Sequence, residues 1–411
     1  AATGRLVAAA PYVSVPLPAL FASGLEEEAA AQMDRGSQAI ERRLGTPPDR
    51  RTWVAGERLD GATVNRLRLQ QVDRIVIPEN LMTPVDRPVT LAQPFELDVG
   101  SVRRPQVVAA DNAMTAHFAD GDDPVLAAHR LLADLAVVYF DRPGHTRAVV
   151  AVAPESWRPT RPFLETLLEG LASSPIVYAT TLDGVFTKVP PATTTAGTPL
   201  VRGLQPPPES AGTLPAATLA TSRRRLESFA SMLEPANPLD ETLEELLLVA
   251  EAAGLRSRQR NEYLDALDER ITAQTSLIQV PENPSITLTA RTGEIPVTIL
   301  SHAGYPVRLQ VELASVKLDF PRGAARRLDL TRRNTTERFP VEARTSGAFP
   351  LRVRLLSPDG GLVVGRSEFT VRSTAASGVG VLLSVGAMGF LVLWWARHHS
   401  RARRNRRLVP A

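Results

Sequence analysis

Cysteine is absent from all 411 residues. That absence excludes disulfides, thiolate metal sites and cysteine nucleophiles together, so the fold is held by packing alone. Lysine is nearly absent too, with Lys188 and Lys317 the only two. The other basic residues are arginines, and this bias, with abundant alanine and proline, suits a GC-rich bacterial genome. No dinucleotide fingerprint, Walker loop or Gly-x-Ser-x-Gly elbow stands between a strand and a helix. His117, His129, His145 and His302 show no HxxxH or HxxH spacing, so no metal site and no cofactor is expected. The formal charge of +3 and the pI near 9.6 look basic. Six arginines near the C-terminus account for that, and without them the chain stands at −3. Nucleic-acid binding thereby loses its main support.

Long hydrophobic runs are scarce as well; there is one, from Gly378 to Ala396, and it contains no charge. As a helix rising about 1.5 Å per residue it reaches roughly 28 Å, close to the ~30 Å hydrocarbon core of a bilayer. Trp394 and Trp395 stand where an interfacial aromatic belt belongs. Arg397, Arg401, Arg403, Arg404, Arg406 and Arg407 follow with no acidic residue among them, the positive-inside signal. The expectation is a single-pass protein of the cell membrane, in contact with the lipid bilayer. Its bulk is extracytoplasmic and its basic tail, 397–411, cytoplasmic. The chain begins Ala-Ala-Thr-Gly, without a starting methionine or a signal peptide, so an export signal is expected upstream of residue 1.

From residue 1 to 188, short β-rich runs alternate with longer helical ones. Strands are expected at Tyr12 to Val15, Thr52 to Ala55, Arg74 to Ile77, Gln106 to Ala110, Ala148 to Ala153 and Ile176 to Thr180. Helices are expected at Leu25 to Leu44, Gly61 to Gln71, Pro124 to Phe140 and Pro162 to Ser173. This order implies a parallel sheet covered by helices, a partial or distorted β/α barrel that is incomplete at its N-terminal side. Residues 189–222 are rich in Pro, Thr and Ala and read as a linker or a long irregular loop. A three-helix unit is expected over 223–280, with Asn237 capping a helix that starts at Pro238. Over 281–373 the apolar period changes to two, as in Ile295, Val297 and Ile299, and turn signals such as Ser357-Pro358-Asp359-Gly360-Gly361 intervene. That pattern predicts an immunoglobulin-like β-sandwich just before the transmembrane helix, 378–396.

Four carboxylates follow the expected strand ends: Glu57, Glu79, Asp111 and Glu155. Strand ends of an α/β barrel converge on one mouth, where sugar-cleaving enzymes place two carboxylates as acid and nucleophile or base. The same residue types also cap helices in βα loops, so a non-catalytic binding groove stands beside catalysis as a reading. Trp53 and Trp157 lie near Glu57 and Glu155; each suits stacking on a sugar ring or filling the core.

Three stretches carry a family resemblance: TWVAGERLDGATVNRLRLQQVDRIVIPENLM from Thr52, HRLLADLAVVYF with RAVVAVAPESWRP from His129 to Pro159, and NPSITLTARTGEIPVTILSHAGYPVRLQVEL from Asn283. With the C-terminal span they resemble uncharacterised actinobacterial single-pass envelope proteins with a glycoside hydrolase/deacetylase-like β/α barrel. Genes of that family often neighbour MurJ/MviN-type lipid II flippases. The resemblance implies a role near peptidoglycan assembly, with a flippase-like membrane protein or cell-wall glycan as partner. It supplies no catalytic residues. The reading that results is a membrane-anchored, non-catalytic glycan- or precursor-binding or scaffolding factor, with a glycoside hydrolase as the alternative.

Overall fold

The computed structural model describes residues 6–56, 58–85, 92–119, 123–154, 157–206, 214–281, 285–374 and 378–404, the side chains of 378–383 and 398–404 excepted. The chain divides into two compact units, one from Ala1–Ala220 with Leu248–Asn261 and the other from Thr221–Leu247 with Glu262–Ala411.

The first unit runs α1 (Leu17–Ala22), α2 (Glu26–Leu44), β1 (Thr52–Val54), α3 (Gly61–Leu69), β2 (Arg74–Pro78), β3 (Phe95–Asp98), β4 (Gln106–Ala110), α4 (Asn112–Ala116), α5 (Pro124–Asp141), α6 (Arg161–Ser173), α7 (Leu182–Lys188) and β5 (Val201–Gly203). Among the described residues its strands form a five-stranded sheet, ordered β1-β2-β4-β3-β5. β1, β2 and β4 are parallel, aligned through Thr52, Arg74 and Gln106. β3 runs antiparallel to β4 and parallel to β5. Ile75, Val76 and Ile77 are fully buried, which is why β2 reads as a continuous apolar run and not as an alternating one: both of its faces are covered. The result is a mixed α/β half-barrel. Acidic caps start α3 and α5, Asp60 accepting from the Thr63 N–H and Asp123 from the Leu126 N–H. α2 crosses the 10–12 segment at Gly36, where a β-carbon would stand 2.0 Å from the Ala10 carbonyl oxygen.

Three expected strands of this unit do not form. Around Tyr12 to Val15, the Tyr12 N–H donates to the Gln32 carbonyl and the Val13 N–H to Gln32 Oε1, so a helix supplies the partners a strand would need. Ala148 to Ala153 makes only an isolated bridge between Val150 and Ala110, and the Val152 N–H turns to Thr115 Oγ1. At Ile176 to Thr180 the Ile176 and Val177 N–H groups are taken by Ser174 Oγ, a local bond that competes with a ladder. Conversely, the Pro/Thr/Ala-rich segment carries β5.

Helices α8 (Ala216–Ala230), α9 (Pro238–Ala250) and α10 (Ser257–Thr275) each contribute to both units. Asn237 Oδ1 accepts from the Leu239 N–H, so the expected cap is in place. The second unit continues with β6 (Ile278–Gln279), β7 (Ile286–Leu288), β8 (Thr292–Ser301), β9 (Val307–Ala314), β10 (Leu318–Asp319), β11 (Ala325–Leu330), β12 (Asn334–Ala343), β13 (Gly347–Leu356) and β14 (Val363–Ser373), then α11 (Gly378–Arg404). Among the described residues the strands make two sandwich-like sheets, β10-β12-β8-β6 and β11-β9-β13-β14-β7. Ile295, Val297 and Ile299 of one sheet and Leu309, Val311, Leu351 and Val371 of the other are all fully buried. Each such side chain contributes on the order of 2 kcal/mol through the area it removes from water.

α11 is 27 residues long. Its described side chains cover 384–397, and Val385, Met388, Phe390, Leu391, Trp394 and Trp395 are all more than half exposed. Among the described residues, no helix is long and apolar enough to cross a membrane.

Candidate functional site

The parallel strands place two of the four carboxylates on one edge. Pro78 of β2 and Ala110 of β4 are register partners, so Glu79 and Asp111, the next residues, both leave the C-terminal edge of neighbouring strands. Strand spacing of about 4.8 Å sets the scale of their separation. Each is engaged. Asp111 accepts from the Met114 N–H at 3.0 Å and starts α4, the helix-capping role. Glu79 opens a short 3-10 turn, 79–81, and its Oε1 lies 3.5 Å from Arg202 Nη1. Glu57 and Glu155 lie outside the described residues.

Arg202 is the member that sequence reasoning missed. It sits on β5, inside the stretch read as linker or loop, and its side chain is 1% exposed. Its Nη2 and Nε donate to the Thr83 carbonyl at 2.8 and 3.2 Å, and its guanidinium lies 5.2 Å from the Phe95 ring centroid. A buried cation persists only with such partners. The loop after β2 is tied to β5 further: Thr83 N–H donates to the Gly203 carbonyl, and the Gln205 N–H to the Leu81 carbonyl.

Trp53 is in the core, and Trp157 packs half-buried against a second apolar cluster. Trp53 is 7% exposed on β1, and its Nε1 is buried without an acceptor. Trp157 meets Phe118 edge-on at 5.0 Å and Phe163 at 5.8 Å, over the cluster of Ala127, Ala128 and Leu131. Of the membrane-interface candidates, Trp394, Trp395 and Arg397 are exposed on α11, and the Arg401 side chain lies outside the described residues. No group of three or more His, Asp or Glu suited to a metal ion occurs among the described residues.

Where the strands at 148–153 and 176–180 fail to form, a groove of about 600 Å³ opens between α5, α6 and α7. Leu135, Val138 and Val185 line it, with Tyr139, Tyr178 and Lys188 adding aromatic and polar groups. Tyr178 is 81% exposed. Such a groove, apolar with a few polar groups, is the usual form of a ligand site.

A family described as "Family of unknown function (DUF6049)" matches residues 20–404. No curated protein matches. Among solved structures, the alpha-amylase AmyC from Thermotoga maritima is similar over 65% of this chain and 66% of its own, at 12% identity and a TM-score of 0.41. A 4-alpha-glucanotransferase from Thermococcus litoralis is similar over 85% of this chain and 73% of its own, at 10% identity and a TM-score of 0.40. WR4, a member of the MSP family from C. elegans, is similar over 24% of this chain and 99% of its own, at 12% identity and a TM-score of 0.19.

Proposed function

We propose, for a chain that belongs to the DUF6049 family of unknown function, that it is a membrane-anchored envelope protein binding cell-wall glycan, a lipid-linked precursor or a membrane partner without turning over a substrate. One observation carries the non-catalytic reading. The two described carboxylates at the strand edge already serve the fold, Asp111 as a cap and Glu79 beside a buried arginine, whereas the groove beside α5 offers Tyr139 and Tyr178. Glycan or precursor would lie in that groove, its sugar faces against the tyrosines. The half-barrel corresponds in this reading to a glycoside hydrolase/deacetylase-like barrel, and the sheets of the second unit to an immunoglobulin-like sandwich. The protein belongs to the actinobacterial envelope, beside a lipid II flippase in peptidoglycan assembly.

The anchor is 378–396. Its support is the uncharged sequence, the exposed apolar side chains of α11 and the arginines that follow. These features favour a bilayer over water as the surroundings of that helix. Protease added to intact spheroplasts is expected to remove everything except the span and the arginine tail, and protection of the whole chain overturns the topology. Affinity capture from native membranes, with the full chain and with its span replaced by an unrelated one, tests the partner. Glycan or precursor recovered with both chains, and weakened by Tyr178→Ala, supports the groove. Loss of a membrane protein upon replacement supports the scaffold, and capture of nothing overturns both.

A glycoside hydrolase is the second reading, favoured by the shared strand edge of Glu79 and Asp111. Retention needs carboxyl groups about 5 to 5.5 Å apart and inversion about 6.5 to 9.5 Å. Release of reducing sugar from cell-wall polysaccharide that disappears with Glu79→Gln would establish it.

A further inference from the structure

The opposite edge of the same strands gathers positive charge. Arg51 immediately precedes β1, Arg74 opens β2, and Arg103 and Arg104 precede β4. Because the three strands are parallel and in register through Thr52, Arg74 and Gln106, every return of the chain delivers its arginine to this one edge. Arg68, from the last turn of α3, joins them. The five guanidinium side chains line one cleft of about 980 Å³, with Asp73 the acidic residue of its lining.

Neutralisation here is uneven. Arg51 pairs with Asp73, and the hydrogen bond to that carboxylate raises its pKa above the ordinary arginine value. Arg74 pairs with Asp183, and Arg104 lies 3.7 Å from Glu96. Arg68 instead spends its Nη1 on neutral acceptors, the Arg103 carbonyl at 2.8 Å and Ser101 Oγ at 3.5 Å. Arg103 is exposed, and its guanidinium makes no bond or ion pair among the described residues. Two uncompensated cations thus stand side by side between three compensated ones. A carboxylate satisfies one guanidinium fork, whereas a tetrahedral phosphate offers oxygens to several at once.

We infer that this cleft binds a phosphate-bearing anion, held by Arg68 and Arg103 and flanked by Arg51, Arg74 and Arg104. The phosphate belongs either to a lipid headgroup or to a soluble ester, since both present the same oxygens.

The test uses the full chain in zwitterionic detergent micelles at low ionic strength, titrated calorimetrically with inorganic pyrophosphate. Saturable binding is expected, with Kd rising roughly tenfold in Arg103→Gln, the loss of one charge-assisted bond. Arg372→Gln, on β14, should leave Kd unchanged. The Arg103 side chain makes no bond or ion pair among the described residues, and its carbonyl keeps its bond from Arg68 in the variant; an unchanged circular dichroism spectrum and urea midpoint verify that the fold is retained. Competition identifies the source: weakening by short-chain phosphatidylglycerol doped into the micelles points to a headgroup, weakening by free glycerol phosphate alone to a soluble ester. Absence of saturable pyrophosphate binding, or equal Kd in the wild type and Arg103→Gln, overturns the site.

Discussion

Arg202 Nη1 lies 3.5 Å from Glu79 Oε1, and the contact joins a side chain 1% exposed to one 41% exposed. The two ends therefore carry unequal weight. Removing the arginine empties a buried space, leaves the Thr83 carbonyl without two donors and removes a cation from the Phe95 face. Removing the carboxylate's charge leaves those bonds intact, and water already screens it. Arg202→Ala should cost about 2 to 3 kcal/mol and Glu79→Gln less than about 1 kcal/mol, read from urea unfolding. Equal costs would mean that the ion pair, and not the carbonyl, holds Arg202. A small cost also makes Glu79→Gln a clean probe of hydrolysis.

That contact marks how far the sequence could be read. Helices α2, α3, α5 and α6 were legible because apolar spacing and length agree, and β1, β2 and β4 because a strand covered on both faces is a bare apolar run. β5 was not. It has three residues, Val-Arg-Gly, in a Pro- and Thr-rich stretch, and an arginine there signals surface unless its partners are known. Those partners lie about 120 positions earlier, with Glu79 separated by 123. β11 and β12 were missed for a related reason. Arg326 shares the face of β11 that carries buried Leu330, and Glu337 the face of β12 that carries buried Phe339 and Val341, so charges interrupt the apolar alternation; the two pair with each other between the sheets. Only the partner strand gives such residues a place. The shared edge of Glu79 and Asp111 followed from strand order alone, but their engagement required the third dimension.

The turn Ser357-Pro358-Asp359-Gly360-Gly361, read from sequence as a strand separator, holds a hydrogen-bonded carboxylate, Asp359. Burial by itself would push the Asp359 carboxyl up. Hydrogen bonds from Ser357 Oγ, Ser228 Oγ and the Gly361 N–H outweigh it and hold the group below its ordinary value of 3.8. A depressed folded-state pKa contributes stability that is present above the unfolded value and lost as pH falls through the folded one. Asp359→Asn should therefore be less stable than wild type by about 1 to 2 kcal/mol near pH 7. The gap should close below about pH 4, where wild type protonates too. Urea midpoints across that range check it; a gap independent of pH would show that the charge contributes nothing.

Gly361 ties the same turn to α8 by space as well as by bonding. A β-carbon on it would stand 2.2 Å from Ser228 Oγ and 3.3 Å from Ser228 Cβ, and Ser228 Oγ is what donates to Asp359 Oδ2 at 2.7 Å. Gly361→Ala must therefore displace the hydroxyl and break that bond. Ser228→Ala loses the bond without a clash, at a cost of about 1 kcal/mol. In the double variant the clashing oxygen is gone and the bond is already lost, so the two costs overlap. The sum of the single effects should exceed the double by about 1 kcal/mol or more, the residue being the tight approach to the remaining β-carbon. Urea unfolding of the four proteins measures this coupling. Strict additivity would mean that Gly361→Ala leaves the Ser228 to Asp359 bond in place, the clash being relieved by movement of the turn and not of the hydroxyl.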